Sequence, residues 1–87
     1  MTTSEVAIAA EIRQMLAEVT GRPELTGVPL QTLLFSGGVG LDSLGGTLLL
    51  RQVQRRYGVD VAAEDLNLDS LESLATLTAF IAGRLAE

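Results

Sequence analysis

One short run in this 87-residue chain combines residue types that suit a covalently attached group: Gly40-Leu41-Asp42-Ser43-Leu44. Asp42 is a good N-cap, because its carboxylate accepts hydrogen bonds from the first unpaired N–H groups of a helix, and the residues from Ser43 to Tyr57 read as that helix. Ser43 is then its first residue. A hydroxyl there lies in the positive end of the helix dipole beside free backbone donors, so a phosphodiester on Ser43 would be stabilised. The missing residue types narrow the chemistry further. His, Cys and Lys are all absent, which excludes Ser-His-Asp, Cys-His and Ser-Lys arrangements within one chain and leaves Ser43 with no base to activate it. Ser43 therefore reads as a site on which another enzyme acts.

Composition removes several other classes. A net charge of −5 argues against nucleic acid as a partner, since that binding rests on neutralising phosphates. Without Cys or His a zinc site loses its usual ligands, the scattered carboxylates read as solvated, and no metal is expected. No apolar run approaches eighteen residues, so no membrane span is expected. Met1-Thr2-Thr3-Ser4-Glu5 lacks the basic and apolar regions of an export leader, and the absence of cysteine suits a reducing cytoplasm, the expected location. The length predicts a single domain over residues 1–87 with one small core.

The elements that must position Ser43 are helical. Thr2 and Glu5 form a capping-box pattern, and Ile8, Ile12, Met15, Leu16 and Val19 recur at helical spacing, predicting a first amphipathic helix that Gly21-Arg22-Pro23 ends. The 22 residues from Gly21 to Asp42 make a long connection that needs a tether. Leu30, Leu33, Leu34 and Phe35 supply it, with Pro29 placed to open one helical turn, and Ser36-Gly37-Gly38-Val39-Gly40 forms a flexible approach to the cap. These glycines do not make a nucleotide loop: no strand precedes them and no Walker lysine follows. In the helix after Ser43, Gly46, Leu49, Leu50, Val53 and Tyr57 fall on one face, the core side, and Leu44, Leu48, Arg51 and Arg55 on the other. Gly45 and Gly46 weaken its first turn, which implies either a loosely held turn or close approach of a group attached at Ser43, or of a partner enzyme, to the backbone. Gly58 closes it. Asp60 is placed to cap a short segment from Ala62 to Leu66, and Asp69 with Glu72 to start a last helix whose Leu71, Leu74, Leu77, Thr78, Ile81 and Leu85 face inward. No run alternates at period two, so no strand is expected.

Gly40-Leu41-Asp42-Ser43-Leu44, together with Tyr57-Gly58-Val59-Asp60-Val61 and the order of helices, resembles the acyl and peptidyl carrier proteins over nearly the whole chain. The resemblance implies an all-α fold, a small four-helix bundle of the acyl-carrier type with a long loop between helices 1 and 2 and a short third helix. It implies that Ser43 carries covalent 4′-phosphopantetheine, that Gly40, Leu41, Asp42 and Leu44 form the attachment motif, and that Asp42 is read by the modifying enzyme. The implied role is not catalytic. A phosphopantetheinyl transferase, with Mg²⁺ in its own site, attaches the arm. An acyltransferase or adenylating enzyme then loads the thiol as a thioester, and a downstream synthase or transferase takes the cargo. A monomer docking partners through Leu44, Leu48, Arg51 and Arg55 is the expected form.

The charges set this chain apart from the pattern typical of fatty-acid synthesis, in which this helix has an acidic face read by basic patches on enzymes. Residues 43 to 57 carry three arginines and no acid, while Asp60, Glu64, Asp65, Asp69 and Glu72 lie beyond it. The preferred reading is a discrete acyl carrier of polyketide or related secondary-metabolite synthesis. Two rivals remain open: a free-standing peptidyl carrier of a nonribosomal pathway, and an unmodified helical interaction module in which Ser43 only assists the cap.

Overall fold

The computed structural model describes residues 3–35, 37–65 and 68–86. Helix α1 runs from Thr3 to Thr20, α2 from Ser43 to Tyr57, α3 from Val61 to Glu64 and α4 from Leu74 to Leu85, with 3-10 turns at Pro23–Gly27 and Asp69–Leu71. No strand occurs among the described residues; Leu33 and Ser73 form an isolated antiparallel bridge. The expected four-helix bundle with a long first loop and a short third helix is the fold observed. Thr2, Ser36 and Leu66, invoked in the sequence reading, lie outside the described residues.

Helix α1 is the element on which the rest converges, touching α2, α4 and the Pro23–Gly27 turn. Its apolar spacing explains why: Ile8, Ile12, Met15 and Leu16 are buried and Val19 is half-buried. Gly21 takes a left-handed φ of 69°, and the N–H of Arg22 bonds back to Ala17 O at 3.1 Å, ending α1 where the sequence implied. Pro23 does more than stop the helix. Its fixed φ opens the 3-10 turn, which delivers Leu25 to the core.

The long connection is tethered, but in a different way from that expected. Pro29 starts a single hydrogen-bonded turn to Thr32, not a turn of helix, and the helical piece is the Pro23–Gly27 segment. Leu34 is the deep anchor, fully buried, whereas Leu30 and Phe35 are half-buried and Leu33 is 40% exposed. Backbone bonds supply the rest. Leu34 N–H donates to Glu72 O at 3.1 Å, and the N–H groups of Leu74 and Ala75 donate to Thr32 O and Leu30 O at 3.0 and 2.8 Å. The loop thereby satisfies donors in the first turn of α4 that no intrahelical carbonyl reaches.

Two expectations at the last helix are corrected. It starts at Leu74, not at Asp69: Ser73 is extended, its Oγ accepts from Thr76 N–H at 3.2 Å, and its own N–H donates to Thr76 Oγ1 at 2.9 Å. This Ser-Thr capping box breaks the chain from the Asp69–Leu71 turn, so Asp69 and Glu72 belong to a separate piece. Leu85 is 49% exposed and leaves the inward stripe, whose other members Leu71, Leu74, Leu77, Thr78 and Ile81 are buried. Asp60 caps α3 as expected, accepting from Ala63 N–H at 3.2 Å.

Candidate functional site

The site is built by a loop that is pinned at several points and a helix that starts sharply. Leu41 is 7% exposed, its side chain in the core and its N–H bonded to Leu34 O at 3.0 Å. Within the run Gly40 to Leu44, Leu41 is thus a packing residue. One step before Gly40, Val39 is also buried, with its N–H on Leu33 O at 2.8 Å. The contact requires Gly38, because a Cβ there would lie 2.0 Å from Leu33 O. Arg22, at the end of α1, reaches across seventeen residues and donates from Nη1 to Val39 O at 2.8 Å. These anchors make a held approach of what the glycine-rich stretch suggested as a flexible one.

Asp42 then sets the start of α2. Its backbone is extended, its Oδ1 accepts from Gly45 N–H at 2.6 Å, and its carbonyl accepts from Gly46 N–H at 2.8 Å. Ser43 is the first helical residue and is exposed. Among the described residues, the N–H groups of Ser43 and Leu44 have no protein partner. The contrast with α4 is informative, because there the loop carbonyls fill the equivalent positions. Apart from Asp42 at the cap, whose carboxylate is engaged by Gly45 N–H, no acidic side chain lies in the first turn of α2, so an anion at Ser43 meets open donors and the positive helix end. The residues present therefore fit a phosphodiester on this hydroxyl.

Gly45 and Gly46 have a cause different from either sequence alternative. A Cβ on Gly45 would stand 3.1 Å from Asp42 Oδ1 and 3.2 Å from Leu41 Cδ2, and one on Gly46 would stand 3.0 Å from Cε1 and Cζ of Phe35. Both are buried. The groups that approach the backbone are the protein's own cap and loop, not an arm or partner, and the turn is held closely.

The two faces of α2 separate as the winding predicts. Gly46, Leu49 and Val53 are buried and Leu50 and Tyr57 half-buried; opposite them Leu44 is 67% exposed, Leu48 is half-buried, and Arg51 and Arg55 are exposed. Gly40 is exposed at the loop end. The far end of α2 is tied to α1: Tyr57 OH donates to Glu11 Oε1 at 2.7 Å and Arg56 Nε to Glu11 Oε2 at 2.5 Å. Beside Asp42 a groove of about 300 Å³ is lined by Val19, Thr20, Arg22, Val39, Leu41 and Asp42, among others.

Sequence reasoning missed Arg22 as a determinant of this site, and named Phe35 as part of the loop's tether without placing it on Gly46. Arg22 carries no local signal, because its target is a carbonyl seventeen residues away; the glycine pair was the one sign of where Phe35 packs, as small residues mark close approach. Among the described residues no group of three or more His, Cys, Asp or Glu is placed to hold a metal ion. No helix among them is long and apolar enough to cross a membrane.

A carrier-type bundle with an exposed serine opening its second helix defines the class, and comparison with known families agrees. The family model described as "Phosphopantetheine attachment site" matches residues 10–81, and the chain belongs to that family. No curated protein and no solved structure matches it. Carriers of this family hold a thioester on covalent 4′-phosphopantetheine; they are substrates of a phosphopantetheinyl transferase and of loading and processing enzymes, and are not catalysts themselves.

Proposed function

We propose that Ser43 is the attachment residue and that residues 1–87 form one carrier domain, which works as a monomeric, cytoplasmic acyl carrier of polyketide or related secondary-metabolite synthesis. The observation that carries the assignment of Ser43 is its exposed position at a helix start whose first two N–H groups are open. In this reading Asp42 fixes the first turn, so that the hydroxyl is held outward at a defined place for the transferase. The N–H groups of Ser43 and Leu44 stabilise the phosphate charge once the ester is formed. When attached, the arm supplies a thiol that holds the cargo as a thioester. Leu44, Leu48, Arg51 and Arg55 form the face on which partners dock, and tethering replaces diffusion of an intermediate by a high local concentration at each docked enzyme.

Intact-mass measurement tests the site. Apo protein incubated with coenzyme A and a broad-specificity transferase is expected to gain one phosphopantetheine, and Ser43→Ala none. Equal labelling of the variant moves the site elsewhere, and labelling of neither favours an unmodified helical module. The mass of the cargo on protein taken from its producer distinguishes an acyl from an aminoacyl carrier.

A further inference from the structure

Six arginines supply every positive side chain of this protein, and the fold uses four of them internally. Arg13 donates to Val28 O at 2.7 Å, Arg22 to Val39 O at 2.8 Å, Arg56 pairs with Glu11 and Arg84 with Glu64. Among the described residues, Arg51 and Arg55 make no hydrogen bond and no ion pair, and both are exposed. Carboxylates are nearby without engaging them. Asp60 shares a groove with Arg51, and Glu11 and Glu18 share one with Arg55, but Glu11 is already held by Arg56 and Tyr57. A chain with eleven acids thus leaves two adjacent like charges unmatched on one helix.

The negative end of the helix accounts for part of this. Arg55 and Arg56 lie in the last turn of α2, where cations are favoured. Arg51 stands a turn earlier, outside that influence. Its position is explained by alignment: seven and eleven residues after Leu44, Arg51 and Arg55 return to within about 20° of the same line along the helix. Leu44, the most exposed large apolar side chain described, therefore begins a ridge with cations about 10 and 16 Å further along.

We propose that this ridge docks enzymes whose own surface is acidic, with an apolar socket for Leu44 and carboxylates about 10 and 16 Å from it in line. The proposal rests on the carrier reading above. Local charge complementarity identifies the occupant: carboxylates meet Arg51 and Arg55 as opposite charges, whereas a basic docking patch meets them as like charges.

A charge-swap tests it, with a malonyl transferase that has a basic docking patch as the probe, and a variant of that transferase in which the patch is replaced by glutamates. At low salt, the Arg51→Glu, Arg55→Glu double variant in its holo form is expected to be loaded by the basic enzyme with kcat/KM roughly tenfold above that of the unaltered carrier, and the acidic enzyme is expected to reverse the order. Both differences should shrink as salt rises. Equal loading of the two carriers, or a difference that does not reverse with the enzyme's charge, overturns the proposal. Attachment of phosphopantetheine is read separately by mass. If both carriers take the arm but load equally, the docking proposal fails alone; if neither takes it, the carrier reading fails.

Discussion

The ring of Phe35 lies so close to the backbone of Gly46 that a single added carbon would meet it at 3.0 Å, which fastens the long loop to the helix that begins at Ser43. Two glycines in helices should therefore respond in opposite ways to Ala. Gly46→Ala gains helix propensity but must displace a packed ring, and a net loss of about 1 kcal/mol is expected. At Gly83, in α4, an added Cβ would find no atom within 4 Å, so Gly83→Ala should stabilise by up to about 1 kcal/mol. Urea unfolding midpoints of the two variants check both signs.

Loss of the cap should act on structure and modification together. Asp42→Ala removes the acceptor for Gly45 N–H and is expected to cost about 1 kcal/mol, whereas Asp42→Asn keeps a capping oxygen and most of that stability. If Asp42 is also read by the transferase, both variants slow arm attachment, and the Asn variant separates recognition from folding. Unfolding curves and time courses of mass gain give the two readouts.

The tie between Glu11 and Tyr57 predicts opposite behaviour at the two ends of the pH range. The Tyr57 hydrogen bond, helped by Arg56 and opposed by burial, holds the Glu11 carboxyl below its ordinary 4.5. That contribution is complete above the ordinary value and is lost as pH falls through the lower folded one. Burial first, then the bond to Glu11 and its charge, push the Tyr57 phenol above its ordinary 10.0. Its contribution is complete below the ordinary value and is lost as pH rises through the folded one. Tyr57→Phe should cost about 1 kcal/mol at neutral pH, because both groups are partly exposed, and should flatten the stability profile in acid and alkali. Denaturant midpoints across pH provide the comparison.

Thr78 is 1% exposed, and its hydroxyl has no hydrogen-bond partner among the described residues. A buried polar group without a partner is a cost that a methyl of the same shape removes. Thr78→Val is expected to raise stability by about 1 kcal/mol, measured by thermal or urea unfolding, with arm attachment unchanged.

Where local pattern decided the structure, it was legible. The stripe of α1, Asp42 and Asp60 as caps, Gly58 at a left-handed φ of 71°, and the two faces of α2 follow from periodicity and capping chemistry alone. The start of α4 was misplaced because Asp69 and Glu72 fit the acidic form of the capping pattern better than Ser73 and Thr76, which form the real box. The loop was misjudged for a different reason. Its order comes from bonds between residues distant in sequence, such as Arg22 with Val39 and Leu34 with Glu72, and no local spacing records them. At the candidate site, the place of Ser43 was readable and the tightness of its surroundings was not.

The carbonyls of Leu30 and Thr32 complete the amide end of α4, so the first loop and the last helix share one set of bonds. Severing the backbone at Gly38 would put donors and acceptors on separate polypeptides, each with unmet polar groups that only the other can supply. The two pieces are thereby suited to fragment complementation, and arm attachment to the second piece would report their reunion.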